Sequence, residues 1–236
     1  ETLRLGTAVL FRLLDALPTG GRLLYLSSSE VCSGSPHLRH QEHDIGNTSP
    51  AHARGCYIES KRCGEAICHA ARESGKQAMI ARVSSVYGTG VRPKDSRVMS
   101  QFIDSALCEG QITMKDGGHA RRVFLYVSDA VEMLLNILIH GDGAIYNVGG
   151  PAIAISSGGA IGNLSGETPI IELARKIGKI MKVSVNAPVN RGVTVRSNGA
   201  GLPGAPIHVG LDLGRYQREF NKEYWVSLDD GLRRTI

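Results

Sequence analysis

The sequence predicts an α/β protein in which a parallel β-sheet is flanked by helices. Residues 22–26 and 77–83 are apolar segments bounded by glycine and polar residues, with the length of buried strands. Between them, residues 57–74 are rich in helix-forming side chains and are followed by Gly75. A strand, a helix and a strand in this order predict a right-handed crossover between parallel strands.

The same patterns predict the other elements of the chain. Further helices are expected at residues 6–17, 97–108, 129–139, 169–181 and after Ser227. Ser128, Thr168 and Ser227 are expected to be the N-caps of the last three, with Pro169 at the first position of its helix. Further strands are expected at 122–127 and 144–148, and loops at 37–52, 156–166 and 190–206. We expect residues 1–150 to form a partial sheet domain, with 89–121 reaching a second lobe formed mainly by 151–236.

Composition narrows the class of protein. Hydrophobic residues make up 42% of the chain and charged residues 21%, which is typical of a globular protein. The net charge of +5 is scattered without interleaved aromatic residues, so no nucleic-acid partner is predicted. The best apolar run, residues 130–139, is too short to span a membrane. Five cysteines without a disulfide pattern indicate free thiols and a cytoplasmic location.

The motif that points to chemistry is Tyr57-Ile-Glu-Ser-Lys61. Residues four apart lie on one face of a helix, so Tyr57 and Lys61 are expected to face one site. An ammonium group favours the phenolate form of a neighbouring phenol, which suits a general base. The spacing also occurs by chance in ordinary exposed pairs, and its companions decide between the two interpretations.

Those companions are Ser27, Ser28, Ser29 and Glu30, which follow the first predicted strand. Ligands of open parallel sheets bind beyond the carboxyl ends of the strands. Ser28 is therefore expected to hydrogen-bond a reacting hydroxyl, with Glu30 as a second acid/base group. The arrangement suits oxidation of an alcohol by hydride transfer to a nicotinamide. The alternatives are a strand-end cap for Ser28 and a solvated loop position for Glu30.

Three histidines, His37, His40 and His43, recur every three residues and invite comparison with a metal site. They have no cysteine partner or second cluster of ligands in the sequence. We therefore predict no metal.

Six short segments in order carry a resemblance to a known family. They are residues 26–31 (LSSSEV), 57–61 (YIESK), 82–88 (RVSSVYG), 122–129 (RVFLYVSD), 146–151 (YNVGGP) and 227–235 (SLDDGLRRT). Together they resemble the extended short-chain dehydrogenase/reductase family, in its nucleotide-sugar epimerase, dehydratase and decarboxylase group. The resemblance implies a Rossmann-type sheet, a small C-terminal substrate lobe, bound NAD, a nucleotide-sugar substrate and a homodimer.

The resemblance also implies roles for single residues. Ser28, Glu30, Tyr57 and Lys61 match catalytic positions, and Tyr57 and Lys61 also bind the cofactor with Ser27 and Val83. Ser29, Ser85, Arg97 and Arg122 match substrate-binding positions. Arg122 is expected near the nucleotide, because a guanidinium suits phosphate and ribose oxygens.

Subfamily features point in more than one direction. Glu30 resembles dehydratases and UDP-glucuronate decarboxylases, and Ser29 before it resembles the decarboxylases. His208 and Val209, however, stand where decarboxylases have an arginine. A 4-epimerase and a non-catalytic scaffold remain alternatives.

The Gly-rich turn that holds the cofactor diphosphate in this family is absent ahead of the serine motif. The GxGxxG match at residues 199–204 contains Pro203 and lies too late in the chain. Since the chain also begins with Glu1 inside a helical pattern, we expect a truncated or processed protein.

Overall fold

The computed structural model describes residues 2–37, 39–92, 94–150, 167–188 and 210–236. The loops expected at 156–166 and 190–206, the glycine run at 199–204, and His208 and Val209 lie outside the described residues. All segments that carry the predicted site are inside them.

The described chain alternates strands and helices. The helices are α1 (Thr2–Asp15), α2 (Gly55–Glu73), α3 (Val98–Glu109), α4 (Val127–His140), α5 (Ile170–Met181), α6 (Gly214–Phe220) and α7 (Leu228–Thr235). The strands are β1 (Arg22–Ser28), β2 (Arg39–His40), β3 (Gln77–Val83), β4 (Ser85–Tyr87), β5 (Gln111–Thr113), β6 (Arg121–Arg122), β7 (Phe124–Tyr126), β8 (Ile145–Val148), β9 (Thr168–Pro169), β10 (Ser184–Asn186) and β11 (Gly210–Leu211). Among these residues, no helix has both the length and the apolar character needed to cross a membrane.

The main sheet is parallel, as the sequence predicts. In the described residues it has three strands in the order β1-β3-β8, with α2 connecting β1 to β3. Ser28 is level with Val83, and Val83 with Val148, so the three strands end at one edge of the sheet. This edge is where a parallel sheet offers a binding site.

Helices cover both faces of the sheet. Alternate residues of a strand point to opposite faces. On β3, Ala78 and Ile80 pack with residues of α1 and α2, whereas Met79 and Ala81 pack with residues of α4. Each of these four β3 side chains is at most 1% exposed, so the strand is buried on both faces and fixes α2 relative to the sheet.

A third apolar cluster lies away from the sheet, among α3, α5 and α7. Its central side chains include Phe102, Leu173, Ile177 and Leu232. Gly110 ends α3 in the left-handed region at φ 68°, where a residue without a Cβ is least strained. The cluster agrees with a second lobe, and the exact division of the chain into two units stays a prediction.

Three predictions about local structure are wrong. Helix α4 begins at Val127 with Tyr126 as its N-cap, so Ser128 lies inside the first turn and does not cap it. Thr168 and Pro169 form β9, which pairs with β6, and Thr168 does not cap α5. The strand expected at 122–127 is divided into β6 and β7, which pair with different strands. In each case tertiary strand pairing overrides the local signal.

Candidate active site

A cavity of about 1150 Å³ opens at the carboxyl ends of β1 and β3. Nine of the ten site residues predicted from the sequence line it: Ser27, Ser28, Ser29, Glu30, Tyr57, Val83, Ser85, Arg97 and Arg122. Lys61 is the exception. Five separate segments of the chain, around residues 27–30, 57, 83–85, 97 and 122, therefore meet at the edge of the sheet where the sequence placed the site.

The serines are held by their own loop. Ser28 is the last residue of β1 and the N-cap of a short 3-10 helix, Ser29–Cys32. Its Oγ accepts a hydrogen bond from the backbone N of Glu30 at 3.2 Å, which leaves the hydroxyl proton available to donate. Ser28 therefore caps this helix, as one interpretation of the sequence expected, and it also lines the cavity.

Lys61 lies beside Tyr57, although it does not line the cavity. Its Nζ is 5.8 Å from the centroid of the Tyr57 ring, and it donates to the backbone O of Leu26 at 2.8 Å. Burial lowers the pKa of Lys61 from its ordinary value of 10.5. The helix thus places the two groups on one face, as expected, and ties the lysine to the end of β1.

Glu30 has a partner that the sequence reasoning missed. Arg54 donates from Nε to Glu30 Oε2 at 2.8 Å and from Nη2 to Oε1 at 2.5 Å. The hydrogen bond to Glu30 raises the pKa of Arg54 above its ordinary value. The Arg54 Cζ also lies 4.8 Å from the centroid of the Tyr57 ring, and Arg54 lines the cavity. The available signal was its position three residues before Tyr57, one helical turn away.

The predicted substrate-binding residues differ in how far their side chains are buried or already hydrogen-bonded within the chain. Arg97 donates from Nε to Asp95 at 2.8 Å and from Nη1 to the backbone O of Val86 at 3.2 Å. Arg122 is half-buried, its Nη1 donates to the backbone O of Arg121, and burial lowers its pKa. Ser85 is an exposed residue at the start of β4. Arg97 is thus already engaged by a carboxylate of the chain.

A buried ion pair lies behind the serines. Arg82 donates from Nε and Nη2 to the two carboxylate oxygens of Glu65, at 2.9 and 2.8 Å, and from Nη1 to the backbone O of Asp44 at 2.7 Å. Ser27 Oγ donates to Glu65 Oε1 at 2.6 Å. Glu65 follows Lys61 by four residues, so the spacing that marked Tyr57 and Lys61 continues to it.

Two of the three histidines, His37 and His43, lie beside the carboxylate of Asp44, and His40 is placed apart from them. His37 Nδ1 lies 3.2 Å and His43 Nε2 3.6 Å from Asp44 Oδ1. His40 is buried, and its backbone O accepts from Asn147 Nδ2. No group of ligands suited to a metal ion occurs among the described residues.

Residues 1–149 match the model of the NAD dependent epimerase/dehydratase family. The chain belongs to this family. The resemblance predicted from the six segments is thereby confirmed at the level of the family.

Curated relatives include a decarboxylase. The chain is 34% identical over 242 residues to UDP-glucuronic acid decarboxylase 1 of Danio rerio, across 100% of this chain and 51% of that protein. The chain therefore spans about half the length of this relative.

Solved structures of the epimerase/dehydratase family share the fold. UDP-glucuronic acid 4-epimerase from Bacillus cereus, in complex with UDP-glucuronic acid and NAD, superimposes with a TM-score of 0.74 at 20% identity, over 98% of this chain and 65% of that one. An NAD complex of dTDP-glucose 4,6-dehydratase from Bacillus anthracis gives 0.72 at 19%, over 98% and 64%. The predicted Rossmann-type fold is confirmed.

The residues that line the cavity fit the nicotinamide end of NAD. Val83 and Ser27 line the wall that the resemblance assigns to the nicotinamide. Ser84, next to Val83, also lines it, and its Oγ is buried without a hydrogen-bond partner in the described part of the chain. An unpaired buried hydroxyl suits a ligand with polar groups such as the nicotinamide amide.

Proposed function

We propose that the protein carrying this chain converts a nucleotide sugar by transient oxidation at C4, followed by decarboxylation of the 4-keto sugar. Support comes from the family, from the decarboxylase relative and from one observation of the cavity. Ser28, Tyr57 and Glu30, an alcohol-binding hydroxyl, a phenol and a carboxylate, line the same cavity. A second acid/base group beside the first pair is what a two-step reaction requires.

In the first step we assign Tyr57 to take the proton of the C4 hydroxyl, while Ser28 donates a hydrogen bond to the same oxygen. Bound NAD would supply a hydride acceptor for C4, held against the wall that contains Ser27 and Val83. Lys61, beside the Tyr57 ring, stabilises the phenolate that accepts this proton.

In the second step the C4 ketone lies β to the C6 carboxylate. The C5–C6 bond breaks, its electron pair moves toward the C4 oxygen, and carbon dioxide leaves. A proton then adds at C5. We assign Glu30 to this step, since it is the carboxylate next to Ser28 that can accept or return a proton.

The experiment is product analysis with the purified protein, NAD and UDP-glucuronate. Release of carbon dioxide together with a UDP-pentose supports the proposal. Conversion to a C4 epimer without gas release supports the alternative of a nucleotide-sugar 4-epimerase, in which Glu30 is a spectator. Dehydration of a dTDP- or UDP-hexose supports a dehydratase.

A second candidate of another class is a non-catalytic scaffold with this fold. Copurified NAD would contradict it, whereas failure of the purified protein to bind NAD would support it.

We propose a homodimer in the cytoplasm as the working form. Helix α1, which packs along α2, exposes Val9, Phe11 and Leu13. The resemblance assigns the helix of the Tyr-Lys motif to a dimer interface. All five cysteines are free thiols, which suits a reducing compartment. Light scattering of the purified protein tests the dimer, which a monomer mass contradicts.

A further inference from the structure

The guanidinium of Arg54 is built into the cavity wall at the point where Glu30 and Tyr57 meet. It holds Glu30 with two nitrogens and lies over the Tyr57 ring. Its side chain is 43% exposed, so the fork is open to the cavity rather than sealed in the interior. A planar fork of this kind matches a carboxylate with two parallel hydrogen bonds.

Arg54 also has donor capacity to spare. A guanidinium carries five N–H donors, and Glu30 is reached only from Nε and Nη2. Within the described residues, Nη1 of Arg54 makes no hydrogen bond. A second carboxylate can therefore approach the same group without first breaking the fold.

The two other arginines that were predicted to bind substrate differ from Arg54 in their hydrogen bonds or in their burial. Arg97 is engaged through Nε and Nη2 by Asp95 and through Nη1 by a backbone oxygen. Arg122 is half-buried, and burial is the largest influence on its pKa. Arg92 also lines the cavity and is exposed, but Arg54 is the one of these arginines whose open fork hydrogen-bonds Glu30 and lies over the Tyr57 ring.

The open guanidinium of Arg54 would balance the charge of a substrate carboxylate in the cavity. A uronic acid would bring a second carboxylate into a cavity that already contains Glu30, and like charges in one site repel. A guanidinium between the two carboxylates removes that repulsion. A neutral hexose gains nothing from it.

We propose that Arg54 is the receptor for the carboxylate of a uronic acid sugar nucleotide, and that Glu30 occupies it when no substrate is bound. This inference rests on the proposed function. Transfer of Arg54 from Glu30 to the substrate frees Glu30 to exchange a proton. After carbon dioxide leaves, the product has no carboxylate, and Arg54 returns to Glu30.

The test measures binding of UDP-glucuronate, UDP-glucose and UDP by calorimetry in the presence of NADH, which cannot accept a hydride, so that no turnover occurs during the titration. We expect the purified protein to prefer UDP-glucuronate over UDP-glucose by about tenfold or more, the range of a charge-assisted hydrogen-bonded pair. Arg54→Ala should abolish that preference and leave the affinity for UDP unchanged. Arg54→Lys, which keeps the charge without the fork, should restore part of it.

Matched variants separate recognition from folding. Arg233→Ala removes an arginine from another exposed ion pair, with Asp230, outside the cavity, and should keep the full preference. Arg54→Gln serves if Arg54→Ala does not fold. An equal loss of affinity for all three ligands, a preference unchanged by Arg54→Ala, or no preference in the unaltered protein overturns the inference. Failure of the unaltered protein to bind any of the three contradicts the proposed function itself.

Discussion

Arg82 and Glu65 form a two-pronged ion pair in the interior, with side chains that are 2% and 6% exposed. The pair joins β3 to α2 directly behind the serine loop, because Glu65 also accepts the hydroxyl of Ser27. It lies one helical turn beyond Lys61 on α2. The orientation of the catalytic helix against the sheet therefore depends on a contact outside the cavity.

Removing one partner of this pair should destabilise the protein strongly. Arg82→Ala leaves the Glu65 carboxylate buried without its counterion, and we expect the free energy of unfolding to fall by about 3–5 kcal/mol. Denaturant unfolding of the purified protein measures the loss. The double variant Arg82→Met/Glu65→Leu should be more stable than Arg82→Ala, since no charge is left unpaired. Additive losses would argue against coupling.

Replacement of Tyr57 by phenylalanine tests the proposed base. The ring contacts with Arg54 and Lys61 do not need the hydroxyl, so the fold should persist. We expect turnover of UDP-glucuronate to fall by about 10²–10⁴-fold, the usual contribution of a positioned acid/base group. The thermal midpoint should change little. Turnover at the unaltered rate would remove Tyr57 from the mechanism.

Stability should depend on pH through His40. Burial lowers the pKa of His40 below its ordinary value of 6.5. As the pH falls below 6.5, the unfolded chain therefore takes up a proton before the folded chain does, and the free energy of unfolding decreases. In His40→Asn this decrease should be smaller. Urea unfolding at a series of pH values from 8 to 5 compares the slopes, and identical slopes would contradict the expectation.

The cysteines should divide into two classes by reactivity. Burial raises the pKa of Cys32 to about 11 and of Cys68 to about 12, so both stay as thiols at neutral pH. Cys56, Cys63 and Cys108 are exposed. A thiol reagent at pH 8 should modify these three first and the other two only after unfolding. Rapid labelling of Cys32 in the folded protein, detected by mass spectrometry, would contradict this.

Much of the fold and of the site follows from short-range signals. Strands β1 and β3 were predictable because their apolar runs end in polar residues, and helix α7 because Ser227 Oγ accepts from the backbone N of Asp230. The cavity was predictable because residues after parallel strands meet at one edge. These signals need only the local sequence and the geometry of parallel sheets.

What escaped prediction depends on partners that are distant in the chain. Glu30 and Arg54 are separated by 24 positions and Glu65 and Arg82 by 17, and nothing in either local sequence fixes such a pairing. Arg97 is a different case, since Asp95, which engages it, is only two residues away and was overlooked. Side-chain pairing, unlike periodicity, is decided by which elements pack together.

The shared contacts of Ser27, Glu65 and Arg82 also bear on inheritance. Loss of Glu65 leaves the Ser27 hydroxyl and the Arg82 guanidinium without their shared acceptor, and loss of Arg82 leaves Glu65 buried without its counterion, so substitutions at these positions should be tolerated best when they occur together. In descendants of this sequence, we expect substitutions at positions 27, 65 and 82 to be correlated. A lineage that had lost the arginine while keeping the glutamate would be expected to have remodelled the floor of the cavity.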